Sequence, residues 1–169
     1  ESIDTMPGGD ALNVARALAK MGASVGLMTK TGEDATGRLL IEMLEAEQVD
    51  TSAISRDPEH KTSTSIVLIG EDGRRSFITM KGAHHYFGLD DVAWEYLAGA
   101  RLVNISSLFG LSSFGPSEAR RVLEFCRARG ITTTMDFMLD KTGERVGEVD
   151  ALLPLVDYAL PSMLEAEQI

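Results

Sequence analysis

The stretch Pro7-Gly8-Gly9-Asp10-Ala11-Leu12-Asn13-Val14-Ala15 holds the residue types and spacing in this chain that could do chemistry. Two adjacent glycines ahead of a helical run let the backbone come close to a ligand, because no side chain stands in the way. Asn13, one turn into that run, offers both a donor and an acceptor, which suits hydroxyl-rich molecules. Taken alone, these residues fit a plain Gly-Gly turn into a helix as well as they fit a binding loop.

Other candidate motifs are weaker. Gly32–Gly37 has the spacing of a phosphate-binding loop, but Arg38 and Leu39 follow where Lys and then Ser or Thr are needed. His84-His85 invites a metal reading, yet adjacent residues point in different directions and no third ligand stands nearby in sequence. Exposed imidazoles in a loop are the expectation there. Asp136 closes a strand-like run and fits equally a site residue and a cap for the following turn. Trp94, Phe125 and Met135 read as core. Cys126 lies in a helical run and reads as a small buried hydrophobe.

The elements that must position these residues alternate between helix and strand. Ala11–Met21 has helical spacing and stops at Gly22, and Ser24–Met28 is strand-like. Asp34 is placed to cap a helix over Thr36–Gln48. Ser65–Ile69 and Ser76–Met80 are strand-like, with a hairpin signal at Glu71-Asp72-Gly73 between them. Helix is expected over Asp90–Leu97 and from Pro116 to Arg129, and strand over Leu102–Ile105 and Ile131–Met135. A short helix at Val149–Leu153, a strand at Tyr158–Leu160 and a helix start at Ser162–Ile169 complete the reading. This alternation predicts an α/β fold with a largely parallel sheet, interrupted by one antiparallel excursion.

Composition sets further bounds. Hydrophobic residues make up 44% and charged residues 25%, enough for a packed core in one domain. The net charge of −10 argues against nucleic acid or an anionic membrane as partner, since both reward clustered Lys and Arg. Arg74-Arg75 and Arg120-Arg121 are isolated pairs and read as solvated surface. No apolar run approaches a membrane span, and the chain does not open on a signal-peptide pattern, so the cytoplasm is expected.

With these residues in view, the chain resembles the ribokinase-like (PfkB) carbohydrate kinases over essentially its whole length. Gly8, Gly9, Asn13, Ala15, Gly22 and Gly32 fall into the family's N-terminal signature, and Gly32–Gly37 is similar to its G-x-D-x-x-G segment. Val49-Asp50-Thr51, the hairpin, Lys81-Gly82-Ala83 and the strand ending at Asp136 keep the family's order. Tyr158–Glu165 is similar to its P-N-x-x-E segment, with Ser162 standing where the family usually has Asn. Lys81-Gly82-Ala83-His84 departs from the commoner G-A-N ending.

The resemblance implies a three-layer α/β/α fold with a small β-lid, and transfer of the ATP γ-phosphoryl group to a sugar hydroxyl. It implies that Gly8, Gly9 and Asn13 contact sugar hydroxyls, with Asp10 joining them from the same loop. It implies a link between Glu165 and magnesium and phosphate, and pairing of two subunits through a lid over about residues 50–83. ATP and Mg²⁺ are the implied cofactors. The family's first strand and its ATP-binding part, with the catalytic Asp, are expected outside residues 1–169, which then form one partial domain inactive alone. Two alternatives stand: a sugar-binding module without catalysis, and a kinase of a nucleoside, for which Phe87, Phe109 and Phe114 are the available aromatic wall.

Overall fold

The computed structural model describes residues 4–138 and 146–167 of the chain. Helix α1 spans Asp10–Lys20 and buries Leu12, Ala15 and Ala19, which recur at three- and four-residue spacing. Strands β1 (Val25–Gly26) and β2 (Thr29–Gly32) follow, then helix α2 (Ala35–Ala46) and strands β3 (Val49–Asp50) and β4 (Ile54–Asp57). β1 pairs parallel with β3, and β2 with β4, so α2 is the crossover between them. Arg16 of α1 forks onto Glu47 at the end of α2, with both N–O distances 2.6 Å.

The antiparallel excursion is a hairpin of β5 (Thr64–Ile69) and β6 (Arg75–Met80), in a register that sets Ile66 opposite Ile78. Every residue of both strands is exposed. Gly73 turns the chain with φ 77°, as the Asp-Gly signal predicted.

The chain then returns to parallel pairing. Helix α3 (Trp94–Ala98), strand β7 (Leu102–Ile105), helix α4 (Pro116–Arg127) and strands β8 (Thr132–Met135) and β9 (Tyr158–Ala159) precede helix α5 (Met163–Ala166). β7, β8 and β9 form one parallel ladder in that order.

Several expectations need correction. The single strand foreseen at Ser24–Met28 is shorter, and β2 and β4 were not foreseen at all. β2 reads Thr-Lys-Thr-Gly, which lacks apolar alternation, yet Thr31 is only 1% exposed. The helix expected over Asp90–Leu97 is a 3-10 turn at Leu89–Asp91 followed by α3. Asp91 accepts the Gly88 N–H at 2.9 Å and pairs with Lys30, so its carboxylate holds a turn. The helix expected at Val149–Leu153 is replaced by 3-10 turns at Val146–Glu148 and Leu153–Leu155, because Pro154 has no N–H to continue an α-helix. Residues 168–169 of the predicted final helix lie outside the described residues.

Two apolar clusters form the interior. One joins α1 and α2 to β1, β3 and β4 through Leu12, Leu44, Val49 and Ile54. The larger surrounds α4 and β8, with Leu97, Leu108, Leu123, Met135 and Leu152 at its centre. Tyr96 bridges the halves by packing on Gly26 and donating to Asp50 Oδ2 at 2.8 Å. That carboxylate and loss of water contact push the phenol up to about 12, burial being the larger cause. No described helix is long and apolar enough to cross a membrane.

Between α2 and β3, Gln48 adopts φ 64°, a left-handed conformation that a side chain disfavours. Replacing it, Gln48→Gly, is expected to stabilise the full-length protein by about 1 kcal/mol. Urea unfolding checks this; an unchanged or lower midpoint would show that the Gln48 side chain contributes more than its backbone costs.

Candidate functional site

The glycine loop ends on Gly9, which is the N-cap of α1 with φ 124° and ψ 147°, a region open mainly to glycine. Its carbonyl accepts the Asn13 N–H at 2.8 Å. A Cβ added at Gly8 would meet nothing within 4 Å, and one at Gly9 would meet only Leu12 Cβ at 3.9 Å. The fold therefore does not need Gly8 for packing. Asn13 is exposed, and its side-chain amide makes no hydrogen bond to a described residue. Unpaired N–H groups at the start of α1 add positive potential beside these two residues.

Asp10, the first residue of α1, is held from the other half of the chain. The Ser107 hydroxyl donates to Asp10 Oδ2. Ser107 itself adopts φ 58°, and its N–H donates to Asp136 Oδ1 at 2.8 Å. The Ser106 hydroxyl donates to Asp136 Oδ2 at 2.7 Å, and Asn104 Nδ2 donates to the Ser106 oxygen at 2.7 Å. The Thr134 hydroxyl closes the series on Asn104 Oδ1 at 2.6 Å. A line of hydrogen bonds thus runs from the carboxyl ends of β7 and β8 to the glycine loop, the edge where α/β sheets gather ligands. Ser106, Ser107 and Asn104 were not expected as site residues.

His84, just beyond the hairpin, stands near the same loop. Its Nδ1 lies 3.1 Å from the Thr29 hydroxyl. Loss of water contact, the larger cause, and the neighbouring His85 lower its pKa, while the Asp10 carboxylate opposes them. His84 thus lies within the field of Asp10. Among the described residues no group of three His, Cys, Asp or Glu side chains is placed to hold a metal ion.

The Gly32–Gly37 segment has a different task. Asp34 caps α2 by accepting the Gly37 N–H at 2.9 Å. The same carboxylate accepts the Thr62 hydroxyl at 2.7 Å and the Thr62 N–H at 3.0 Å. Thr62 Oγ1 in turn accepts the Gly32 N–H at 3.0 Å. Glycines are required around this knot. A Cβ at Gly32 would stand 2.7 Å from the Thr62 nitrogen, and one at Gly37 2.8 Å from the Thr62 hydroxyl oxygen. Gly82, two residues beyond β6, would bring a Cβ within 2.8 Å of the Ser63 nitrogen. Both ends of the hairpin are thereby tied to the sheet.

The remaining candidates are placed as follows. Glu165 accepts the Ser162 N–H at 2.7 Å, and the Ser162 hydroxyl accepts the Glu165 N–H at 3.4 Å, a reciprocal cap on α5. The other Glu165 oxygen takes no hydrogen bond from a described residue. Phe87 and Phe114 are 8% and 7% exposed and pack on each other with ring centres 5.7 Å apart, so they are core and not a ligand wall. Phe109 packs on that core partly buried. Cys126 is buried, and burial pushes its thiol up to about 11 against the nearby Arg129 charge.

Residues 1–169 match the pfkB family carbohydrate kinase profile, and the chain belongs to that family. It is 31% identical over 106 residues to a fructokinase of Vibrio alginolyticus, covering 58% of this chain and 34% of that protein. It is 26% identical over 160 residues to a ribokinase of Staphylococcus aureus, covering 95% of this chain and 50% of that protein. Among solved structures, a PfkB protein from Polaromonas sp. superposes with a TM-score of 0.83 at 26% identity, over 93% of this chain and 56% of that one. A 2-dehydro-3-deoxygluconokinase from Thermotoga maritima superposes with a TM-score of 0.87 at 22% identity, over 100% and 54%. The chain thus has the ribokinase-like α/β fold and spans about half the length, or less, of the relatives it matches.

The Asp34 knot gives an acid signature. Desolvation works to raise the Asp34 pKa, but hydrogen bonds from Thr62 and Gly37 and the Lys61 charge outweigh it and hold the group at about 2. Its folded value lies below the ordinary 3.8, so its stabilisation is complete above pH 3.8 and is lost as pH falls toward 2. Asp34→Ala is expected to cost about 2 kcal/mol at pH 7. Asp34→Asn should flatten the loss of stability between about pH 4 and 2. Urea unfolding across that range checks both; an unaltered slope in Asp34→Asn would refute the assignment.

Proposed function

We propose that this chain is the acceptor-binding part of an ATP-dependent sugar kinase, which moves the γ-phosphoryl group of ATP onto a carbohydrate hydroxyl. The observation that carries the reading is the glycine loop. Gly8 has open space around it, the Asn13 amide makes no hydrogen bond to a described residue, and Asp10 presents a carboxylate, all at or just before the start of one helix. Carboxylate and amide together accept from and donate to the hydroxyls of a polyol. Membership of the family and the fructokinase and ribokinase relatives support the same reading.

In this reading the loop aligns the acceptor hydroxyl, and the hairpin closes over it as a lid. Alignment lowers the entropic part of the barrier, and exclusion of water prevents wasteful hydrolysis. ATP supplies the phosphoryl group and magnesium the charge compensation. The Glu165 oxygen that takes no hydrogen bond from a described residue is suited to a water-bridged contact with that ion, while its partner oxygen caps α5. The cytoplasm, where ATP is available, is the assigned compartment.

The deciding assay is turnover of the full-length protein with Mg-ATP against a panel of ketoses, aldoses, sugar acids and nucleosides. Phosphorylation of a sugar is expected. Sugar binding without ATP consumption would make the chain part of a binding module, and nucleoside turnover alone would replace the acceptor class. Gly8→Val should leave the unfolding midpoint in place yet lower kcat/KM about tenfold or more, because its side chain occupies space that the acceptor needs. Full activity in that variant would remove Gly8 from the site.

We further infer that two copies pair through the hairpin. Ile66, Leu68, Ile78 and Met80 lie on one face, and Val67, Ile69 and Phe77 on the other, all 43–70% exposed. A lone two-stranded ribbon with apolar residues on both faces needs cover on both. One face covers the acceptor and the other meets the second copy. Sedimentation is expected to give a dimer, and Phe77→Asp with Ile78→Asp a monomer. A monomeric native protein at micromolar concentration would refute the pairing.

A further inference from the structure

Ser107 is in an unusual position for a serine. Its φ of 58° belongs to a region that glycine enters freely and side chains seldom do. Two hydrogen bonds define what it does there. Its N–H is fixed by Asp136 Oδ1 at 2.8 Å, while Ser106 occupies the other Asp136 oxygen at 2.7 Å. Its hydroxyl goes to Asp10, a residue 97 positions earlier in the chain. A glycine at this position would keep the backbone and lose the second bond.

Asp10 has little else to hold it. It is exposed, and no ion pair joins it among the described residues. His84, the nearby ring, engages Thr29 instead. An exposed carboxylate at the first turn of a helix otherwise turns freely about its side-chain bonds, and ordering it at the moment of binding costs affinity. The Ser107 hydroxyl takes one oxygen and leaves the other for a ligand hydroxyl.

We propose that Ser107 is a positioning residue for the acceptor: its hydroxyl presets the Asp10 carboxylate of the glycine loop, and Asp136 holds Ser107 in the conformation that lets it do so. The consequence for catalysis rests on the sugar-kinase reading above, whereas the tether itself rests on the geometry. The two halves of the acceptor site are then coupled through a single hydroxyl.

Ser107→Gly separates backbone from hydroxyl and relieves the positive φ, so misfolding is not a concern for that variant. In the full-length enzyme, Ser107→Gly and Ser107→Ala are both expected to raise the KM for the sugar about tenfold, the loss of one hydrogen bond to a charged acceptor, with kcat nearly unchanged. Asp10→Asn combined with Ser107→Gly should be no worse than Asp10→Asn alone. Asp136→Ala should shift KM in the same direction. Hydrogen exchange without any sugar provides a second measure: the Asn13 amide should exchange several-fold faster in Ser107→Gly, while α4 is unaffected. If Ser107→Gly matches the native enzyme in KM and in exchange, the hydroxyl positions nothing and the proposal fails. If no sugar is turned over at all, the kinase reading fails, and the exchange measurement still decides the tether.

Discussion

The structure depends most on the way one carboxylate, Asp34, serves two masters at once. It caps α2 through Gly37 and grips both the hydroxyl and the N–H of Thr62. These groups are 28 residues apart in sequence, so the knot closes a long loop with a few short bonds. Charge on the acceptor makes each of those bonds stronger than a neutral one. Because Gly32, Gly37 and Gly82 clear the space, the backbone of residues 60–63 lies directly against the sheet. Everything distal to Thr62 can then project into solvent without loosening the parallel strands behind it.

A second polar device works at the carboxyl ends of β7 and β8. There Asp136 organises Ser106 and Ser107, and Ser107 reaches across to Asp10. The two devices differ in kind. The Asp34 knot is a local anchor that fixes where the hairpin leaves the body, and its charged form is favoured well into acid. The Asp136 line joins the two apolar clusters at the glycine loop. Tyr96, packed on Gly26 and bonded to Asp50, is another bridge between them.

Parts of this were legible in the sequence for physical reasons. Gly8-Gly9 before a helical run, Asp34 as an N-cap, Pro116 as a helix opener and Asp72-Gly73 as a turn are local signals, and local geometry decided them. What escaped was set by distant partners. Thr29–Gly32 carries no strand pattern and is a strand because Ile54–Asp57 pairs with it. Asp91 reads as a helix former until Lys30, 61 residues away, claims it. Ser106 and Ser107 look like any loop, and only the fold brings Asp136 and Asp10 to them. Phe87 and Phe114 were open between core and ligand wall, because a sequence does not say which side of an aromatic residue faces the interior.

The hairpin has a consequence for how such a protein can diverge. All twelve of its strand residues are exposed, and it is moored at its root by glycines and one threonine. Substitutions along it therefore leave interior packing untouched. Selection can rewrite the ribbon for a new ligand or a new neighbour without a debt in folding stability, whereas the moorings at Gly32, Asp34, Thr62 and Gly82 have no such latitude. Variation and constraint are thus separated along a few residues of the same chain.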